Sequence, residues 1–175
     1  MAVLRSLKNL LFNESFSIKT MLNESADYEI RPLLSDQLNE LVKLNLRCFR
    51  NGENYTRQTF KFLFNEPNTL AYKAATNDRM IGYLFAIVQQ EGLAHITTLG
   101  VDPEFRRRGI ASKLLIHLEN RLRAKNINTI ALEVRLSNHS ARRLYLRHGF
   151  AVTQRISNYY SDGEDCLLMI KAINS

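Results

Sequence analysis

A short basic turn carries the first residues whose types and spacing can do chemistry. A β-type run from Ala94 stops at Asp102-Pro103, because proline disfavours helical conformation in the residue before it. Three arginines and Gly109 follow before a helix begins. The first N–H groups of a helix lack intrahelical partners, and the helix dipole makes that end positive. Since Gly109 and Ala111 leave this backbone uncovered, the turn predicts a phosphate-binding site; a solvated basic surface turn is the alternative.

Two common glycine-rich phosphate loops do not fit this turn. No Gly-Lys-Ser/Thr follows it, which excludes a P-loop, and no G-x-G-x-x-G follows the strand, which excludes a Rossmann fingerprint. The histidines and cysteines show no metal-ligand spacing, so no metal is expected. Cys48 and Cys166 are expected to be free thiols that fill the core.

Glu133 is the second chemical feature, because it stands in an otherwise apolar run from Thr129 to Val134. Such a run is typical of a strand buried on both faces. Partial burial is expected to raise the pKa of the Glu133 carboxyl towards the range that suits proton transfer. The alternative is a structural carboxylate paired with an arginine such as Arg135.

Tyr145, Asn138 and His95 complete the set of candidate side chains. Asn138 and Tyr145 share one face of a predicted helix, so they can address one ligand; a core tyrosine with a solvated hydroxyl is the alternative. His95 alternates with Thr97 and Leu99 along a strand and can face the cleft as a second base. A structural histidine with satisfied hydrogen bonds is the commoner case.

Hydrophobic periodicity and turn residues predict the elements that must position these groups. The order is strand, two helices, three antiparallel strands, helix, strand, helix and two strands, which is a mixed α/β sheet. The predicted strands cover about 28–33, 69–76, 80–89, 94–101, 129–134, 151–159 and 165–173, and the predicted helices about 36–49, 56–64, 109–125 and 138–148.

Composition limits the class of protein. A chain of 175 residues fits one domain, and a net charge of +7 suggests an anionic partner. No run reaches the roughly 18 apolar residues that a membrane span needs. Residues 1–27 differ from the rest, with leucines at helical spacing and two basic residues before the first acid. They predict an N-terminal extension, helical or flexible, with a targeting helix as an alternative.

The motifs together resemble the GNAT superfamily of N-acetyltransferases. The basic turn has the form Arg106-x-x-Gly109-x-Ala111, and the apolar strand reads Leu132-Glu133-Val134-Arg135. Residues 138–150 follow the pattern N-x-x-A-x-x-L-Y-x-x-x-G-F, and 158–165 read N-Y-Y-S-D-G-E-D. This combination is most similar to ribosomal-protein-alanine N-acetyltransferases and protein N-terminal acetyltransferases, and it covers residues 28–173. The resemblance implies a largely antiparallel sheet of six to seven strands, flanked by about four helices, in a domain at 28–175.

The resemblance also implies roles for matched positions. In that family a Glu at the position of Glu133 is the base, and a Tyr at the position of Tyr145 is the general acid near the cofactor sulfur. Aromatic residues at the positions of Tyr159 and Tyr160 help to hold the acceptor; packing of the hairpin is the alternative role for these two. Two strands splay apart after V-D-P, which frees backbone groups for the pantetheine amides. The implied cofactor contacts are Leu99, Gly100, Val101, Arg106, Arg107, Arg108, Gly109, Ile110, Ala111, Ser112 and Asn138.

The predicted activity is transfer of acetyl from acetyl-CoA, as cosubstrate, directly to the α-amine of a protein or peptide N-terminus, with a ribosomal protein as one candidate. A peptide α-amine has a pKa near ~8, so the reaction needs a base. The alternatives are acetylation of a polyamine, amino sugar or amino acid, and a basic ribosome- or nucleic-acid-binding module without catalysis. Neither a membrane nor a specific nucleic acid is an expected partner, the expected location is the cytoplasm, and the oligomeric state stays open.

Overall fold

One parallel strand pair interrupts an otherwise antiparallel sheet. The computed structural model describes residues 28–49, 54–77, 79–89 and 92–173. Seven strands lie in the order β1-β2-β3-β4-β5-β7-β6, and only β4 and β5 run parallel. The strands are Glu29–Pro32 (β1), Thr69–Ala75 (β2), Met80–Val88 (β3), Leu93–Val101 (β4), Thr129–Arg135 (β5), Ala151–Ile156 (β6) and Cys166–Ala172 (β7).

Four α-helices connect these strands. They are Leu38–Cys48 (α1), Arg57–Asn65 (α2), Ile110–Arg123 (α3) and His139–Arg147 (α4). The side chain of Thr56 accepts a hydrogen bond from Thr59 N, and that of Asn138 from Ala141 N, so each caps the helix that follows it. Gly149 follows α4 with a φ of +82°, a conformation that glycine adopts without strain.

The helices pack on opposite faces of the sheet and make two cores. α3 and α4 cover one face, where α3 contributes five buried aliphatic residues: Ile110, Leu114, Leu115, Leu118 and Leu122. α1 and α2 cover the other face at β3, where Phe60, Tyr83 and Phe85 are fully buried. The ring centroids of Phe60 and Phe85 are 5.6 Å apart.

A β-bulge in β4 decides which side chains point to which face. Phe85 of β3 pairs with Thr98 and Ala86 pairs with Ile96, so Thr97 has no residue opposite it on β3. Simple alternation would put His95 and Leu99 on the same face. Because of the bulge, Leu99 instead packs in the α3 core with Ile96, whereas His95 points to the face of α1 and α2.

The parallel pair comes apart towards the ends of its strands. β4 and β5 pair only from Leu93 to His95, opposite Thr129 to Ala131. β4 then continues to Val101 beside β3, and β5 continues to Arg135 beside β7. A gap therefore opens in the middle of the sheet, as the resemblance implies, and exposed strand edges line both of its sides.

The predicted class and order of the elements are confirmed. β6 ends at Ile156, short of the predicted 159, because Asn158 takes a φ of +52° and donates its N–H to Asp165 Oδ1. The extension predicted at 1–27 lies outside the described residues, and the domain boundary at residue 28 stays a prediction.

Candidate functional site

The gap between β4 and β5 exposes backbone groups of alternate residues in β4. Asp102 N donates to Ile81 O (2.9 Å), which fixes the phase of the ladder with β3. Since hydrogen-bonding direction alternates along a strand, Gly100 also faces β3, whereas Leu99 and Val101 present their N–H and C=O groups to the gap. Among the predicted contacts, Leu99 and Val101 thus have backbone groups facing the gap.

Gly100 has a steric role on the other side of β4. A Cβ added there would lie 2.6 Å from the Tyr83 ring, so only glycine fits against this buried side chain. Its predicted role as a cofactor contact has no support from the direction of its backbone groups.

Arg106 turns back onto the protein. Its Nε donates to Val101 O (3.2 Å) and its Nη2 to Cys48 O (2.8 Å), which joins the basic turn to the end of α1. Arg47 of α1 also pairs with the buried Asp102 carboxylate (2.9 Å). The guanidinium of Arg106 therefore links the end of α1 to the end of β4.

The N-terminus of α3 carries unpaired amides. Gly109 is its N-cap, with a φ of +76°, and no side chain caps the helix. The Gly109 C=O accepts from Lys113 N, but within the described chain the N–H groups of Ile110, Ala111 and Ser112 find no acceptor. No atom lies within 4 Å of a Cβ added at Gly109, so the space before these amides is open. This arrangement fits an anion.

The other two arginines of the turn are exposed. Arg107 adopts a φ of +67°, and the guanidinium of Arg108 lies 5.0 Å from the centroid of the Phe105 ring. The same ring holds Arg79 at 4.8 Å. Both arginines of the turn remain available to a phosphate by charge, because neither has a carboxylate partner among the described residues.

Glu133 pairs with His95 at the edge of the gap. Its Oε2 lies 2.6 Å from His95 Nε2, and about a quarter of each side chain is exposed. The hydrogen bond from His95 lowers the pKa of Glu133, and this outweighs the opposing effect of burial. The expectation of a raised pKa was therefore wrong. The partner is also not Arg135, which binds Asp162 and Glu164 instead.

Three tyrosines lie close enough to Glu133 to feel its charge. Burial raises the pKa values of Tyr55, Tyr159 and Tyr160, and the nearby charge of Glu133 raises each further. The Tyr55 hydroxyl donates to Thr97 O at the bulge (2.9 Å). Tyr159 is half-exposed, and its ring centroid is 5.1 Å from that of Tyr160. The structure thus brings Tyr159 and Tyr160 to the Glu133 side of the sheet.

Arg135 fastens the loop that carries two of these tyrosines. Its Nη1 donates to Asp162 Oδ2 (2.9 Å) and Glu164 Oε2 (2.8 Å), and its guanidinium lies 3.8 Å from the Tyr160 ring centroid. Glu164 also accepts from Ser137 N (2.7 Å), just before α4. These bonds lower the pKa of Glu164 to about 2, so it stays ionised and holds the loop near neutral pH.

Tyr145 lies on the other face of β5. It is buried in the α3 core with Leu132 and Val134, and its ring makes an edge contact with Phe150 at 5.5 Å. Burial raises its pKa to about 12, so the phenol keeps its proton at neutral pH. Asn138 uses Oδ1 to cap the helix that carries Tyr145, by accepting from Ala141 N (3.1 Å).

Sequence reasoning did not predict two features of this site. The hydrogen bond joins His95 and Glu133, 38 residues apart, and only the register of β4 and β5 brings them together. Tyr55 is not among the candidate side chains named from the sequence, and its bond to Thr97 depends on the bulge. The described ranges contain no cluster of metal-ligating side chains and no helix with the length and apolar character of a membrane span.

Comparisons with known proteins find acetyltransferases that share the sequence pattern and the fold. Residues 38–150 match the acetyltransferase (GNAT) family. An uncharacterized N-acetyltransferase of Methanocaldococcus jannaschii is 44% identical over 81% of this chain and 90% of its own length. N-alpha-acetyltransferase 20 of Dictyostelium discoideum is 31% identical over 82% of this chain and 85% of its own length. The crystal structure of the ribosomal-protein-S18-alanine N-acetyltransferase from Escherichia coli superposes with a TM-score of 0.78 at 28% identity. The superposition covers 85% of this chain and 95% of that chain.

Proposed function

This chain belongs to the acetyltransferase (GNAT) family, and on that premise we propose that it transfers acetyl from acetyl-CoA to the N-terminal α-amine of a protein. The observation that carries the proposal is the His95–Glu133 pair beside the gap between β4 and β5. The N-alpha-acetyltransferase names of the relatives support this acceptor class.

The residues present fit coenzyme A as the carrier of the acetyl group. The open amides of residues 110–112 and the positive end of α3 suit its diphosphate, and Arg107 and Arg108 add charge beside them. The gap-facing N–H and C=O groups of Leu99 and the N–H group of Val101 suit the amides of its pantetheine arm. When bound, acetyl-CoA supplies the acetyl thioester that the amine attacks.

Glu133 and His95 act together as the base. Because the pKa of Glu133 is low, its carboxylate is ionised near neutral pH, and the 2.6 Å contact then requires His95 Nε2 to donate. In that tautomer the Nδ1 atom of His95 has a free lone pair. The pair accepts a proton from the acceptor's ammonium group, directly or through water.

Tyr145 is the proton donor on the opposite face of β5. A phenol with a pKa of about 12 is protonated at neutral pH and donates to a departing thiolate. The Tyr145 ring makes an edge contact with Phe150. The proposed base and acid thus lie on the two faces of β5, which separates their tasks.

Tyr55, Tyr159 and Tyr160 hold the acceptor's first residues. Arg135 keeps the loop of Tyr159 and Tyr160 in place, and Thr97 keeps Tyr55 in place. A ribosomal protein is the proposed natural acceptor, in line with the name of the similar Escherichia coli enzyme.

The test is acceptor profiling with acetyl-CoA. The enzyme is offered peptides with a free α-amine, the same peptides with a blocked α-amine, and the free amines spermidine, glucosamine and alanine. Acetylation of the free peptides alone, located at the α-amine by mass spectrometry, supports the proposal. Turnover confined to the small amines refutes it. Mass spectrometry of cellular protein N-termini with and without the enzyme then identifies the acceptor.

A further inference from the structure

One face of the sheet beside Glu133 carries aliphatic side chains that belong to neither core. Ile156, Leu168 and Ile170 are half-buried, yet none of them belongs to or packs against the two hydrophobic clusters of the described residues. We define these three residues as the aliphatic strip. Contacts of α1 and α2 with the sheet fall on β2, β3 and β4.

Strand register places the strip on the face of Glu133. Leu168 is directly opposite Glu133, Ile170 is opposite Ala131, and Ile156 is opposite Cys166. Directly opposite residues share a face, and residues two apart along a strand share it too. Leu167, Met169 and Lys171 alternate with these positions and face α3, where Lys171 pairs with Glu119.

The strip begins at the candidate site. Leu168 is the strand neighbour of Glu133, and Ile170 lies one step further from the tyrosines, about 7 Å along β7. Two to three residues of extended chain cover that distance, since each spans about 3.4 Å. An acceptor whose α-amine reaches Glu133 and whose chain runs along β7 towards Ile170 has its third and fourth residues near that end of the strip.

We propose that the aliphatic strip is a seat for the acceptor chain beyond its N-terminus and selects aliphatic side chains at its third and fourth residues. This inference rests on the proposed function. The strip consists of aliphatic side chains, which favours an apolar occupant. The strip is also continuous with the site that holds the amine.

The experiment compares two eight-residue acceptors that differ only at residues three and four, Val-Leu in one and Ser-Asn in the other. The enzyme is expected to show a kcat/KM about tenfold higher for the Val-Leu peptide, the effect of burying one to two methylene groups. Leu168→Asn with Ile170→Asn is expected to bring this ratio close to one and to leave the KM for acetyl-CoA unchanged.

Two further variants make the test specific. Val152→Asn is the matched control: Val152 is an exposed aliphatic residue of β6, but it is opposite Met169 and so belongs to the other face. It is expected to keep the tenfold ratio. Gln154→Leu, opposite Leu168, enlarges the strip and is expected to raise the ratio, which provides a readout even if the double variant folds poorly.

Each outcome has one meaning. An unchanged ratio in the double variant, or an unchanged ratio in Gln154→Leu if the double variant does not fold, overturns the proposal. A change of oligomeric mass in the double variant without a change of ratio shows that a second copy covers the strip. A large fall in thermal midpoint without a change of ratio shows that another part of this chain covers the strip. Both results overturn the proposal. Equal use of both peptides by the unmodified enzyme refutes the strip alone, whereas turnover of small amines alone refutes the proposed function.

Discussion

The sharpest prediction concerns the bond between Glu133 and His95. If the two side chains act as one base, then Glu133→Gln and His95→Ala each lower kcat by about 10²- to 10⁴-fold, the usual contribution of general base catalysis. The double substitution lowers kcat no further than the stronger single one, because groups that act as a unit are not additive.

The structure also sets the expected cost in stability. His95→Ala removes one charge-assisted hydrogen bond of 2.6 Å, worth about 1.5 kcal/mol and so roughly 3–6 °C in thermal midpoint. Glu133→Gln leaves a neutral hydrogen bond and is expected to cost less. The low pKa of Glu133 means that this bond stabilises the fold above the carboxyl's ordinary pKa of 4.5. The contribution is lost as the pH falls through the lower folded-state pKa. His95→Ala is therefore expected to show a shallower fall in thermal midpoint below pH 4.5.

The assay follows release of the coenzyme A thiol at saturating acetyl-CoA and peptide, together with thermal unfolding. Glu29→Gln is the matched control, because it removes an exposed carboxylate bonded to Arg31 on the edge strand β1. It is expected to leave kcat unchanged.

Additive losses in the double variant would refute the idea of a single base. Near-normal kcat in both single variants would refute any role of the pair in proton transfer. A loss of activity explained by unfolding at the assay temperature is recognised in the thermal scan, and the assay is then repeated at a lower temperature where each variant is folded.

Three further predictions follow from the same structure. Tyr145→Phe keeps the ring contact with Phe150 but removes the proton donor, so we expect kcat to fall at least about tenfold with an unchanged thermal midpoint; an unchanged kcat would exclude Tyr145 as the acid. Arg106→Gln breaks the hydrogen bond to Cys48 O, so we expect a lower thermal midpoint and a Kd for coenzyme A, measured by calorimetry, that changes less than about threefold. An unchanged thermal midpoint with a much weaker Kd would make Arg106 a phosphate ligand. Glu164, with its pKa lowered to about 2, stabilises the fold above its ordinary pKa of 4.5 and loses this effect as the pH falls towards 2. Glu164→Gln should therefore flatten the dependence of the thermal midpoint on pH over that interval and raise the acceptor KM. Parallel curves of thermal midpoint against pH for the variant and the unmodified enzyme would contradict this.

Local patterns in the sequence predicted most of the fold. The period of apolar residues marks α3 through Ile110, Leu114, Leu118 and Leu122, and Thr56 and Asn138 cap helices as expected. Such signals depend on residues a few positions apart, which the chain itself keeps together. The Gly-containing basic turn belongs to the same class, because a helix N-terminus after a positive-φ glycine is a local structure.

Contacts between distant residues were decided only by the tertiary structure. The bulge at Thr97 turns His95 away from the face of Leu99, and the register of β4 and β5 then places it against Glu133. That contact reverses the expected direction of the Glu133 pKa shift, since burial alone would have raised it. Burial of a residue can be read from its neighbours in the chain, but the charge and hydrogen bonds that meet it come from other strands, and their register depends on the packing of the whole sheet.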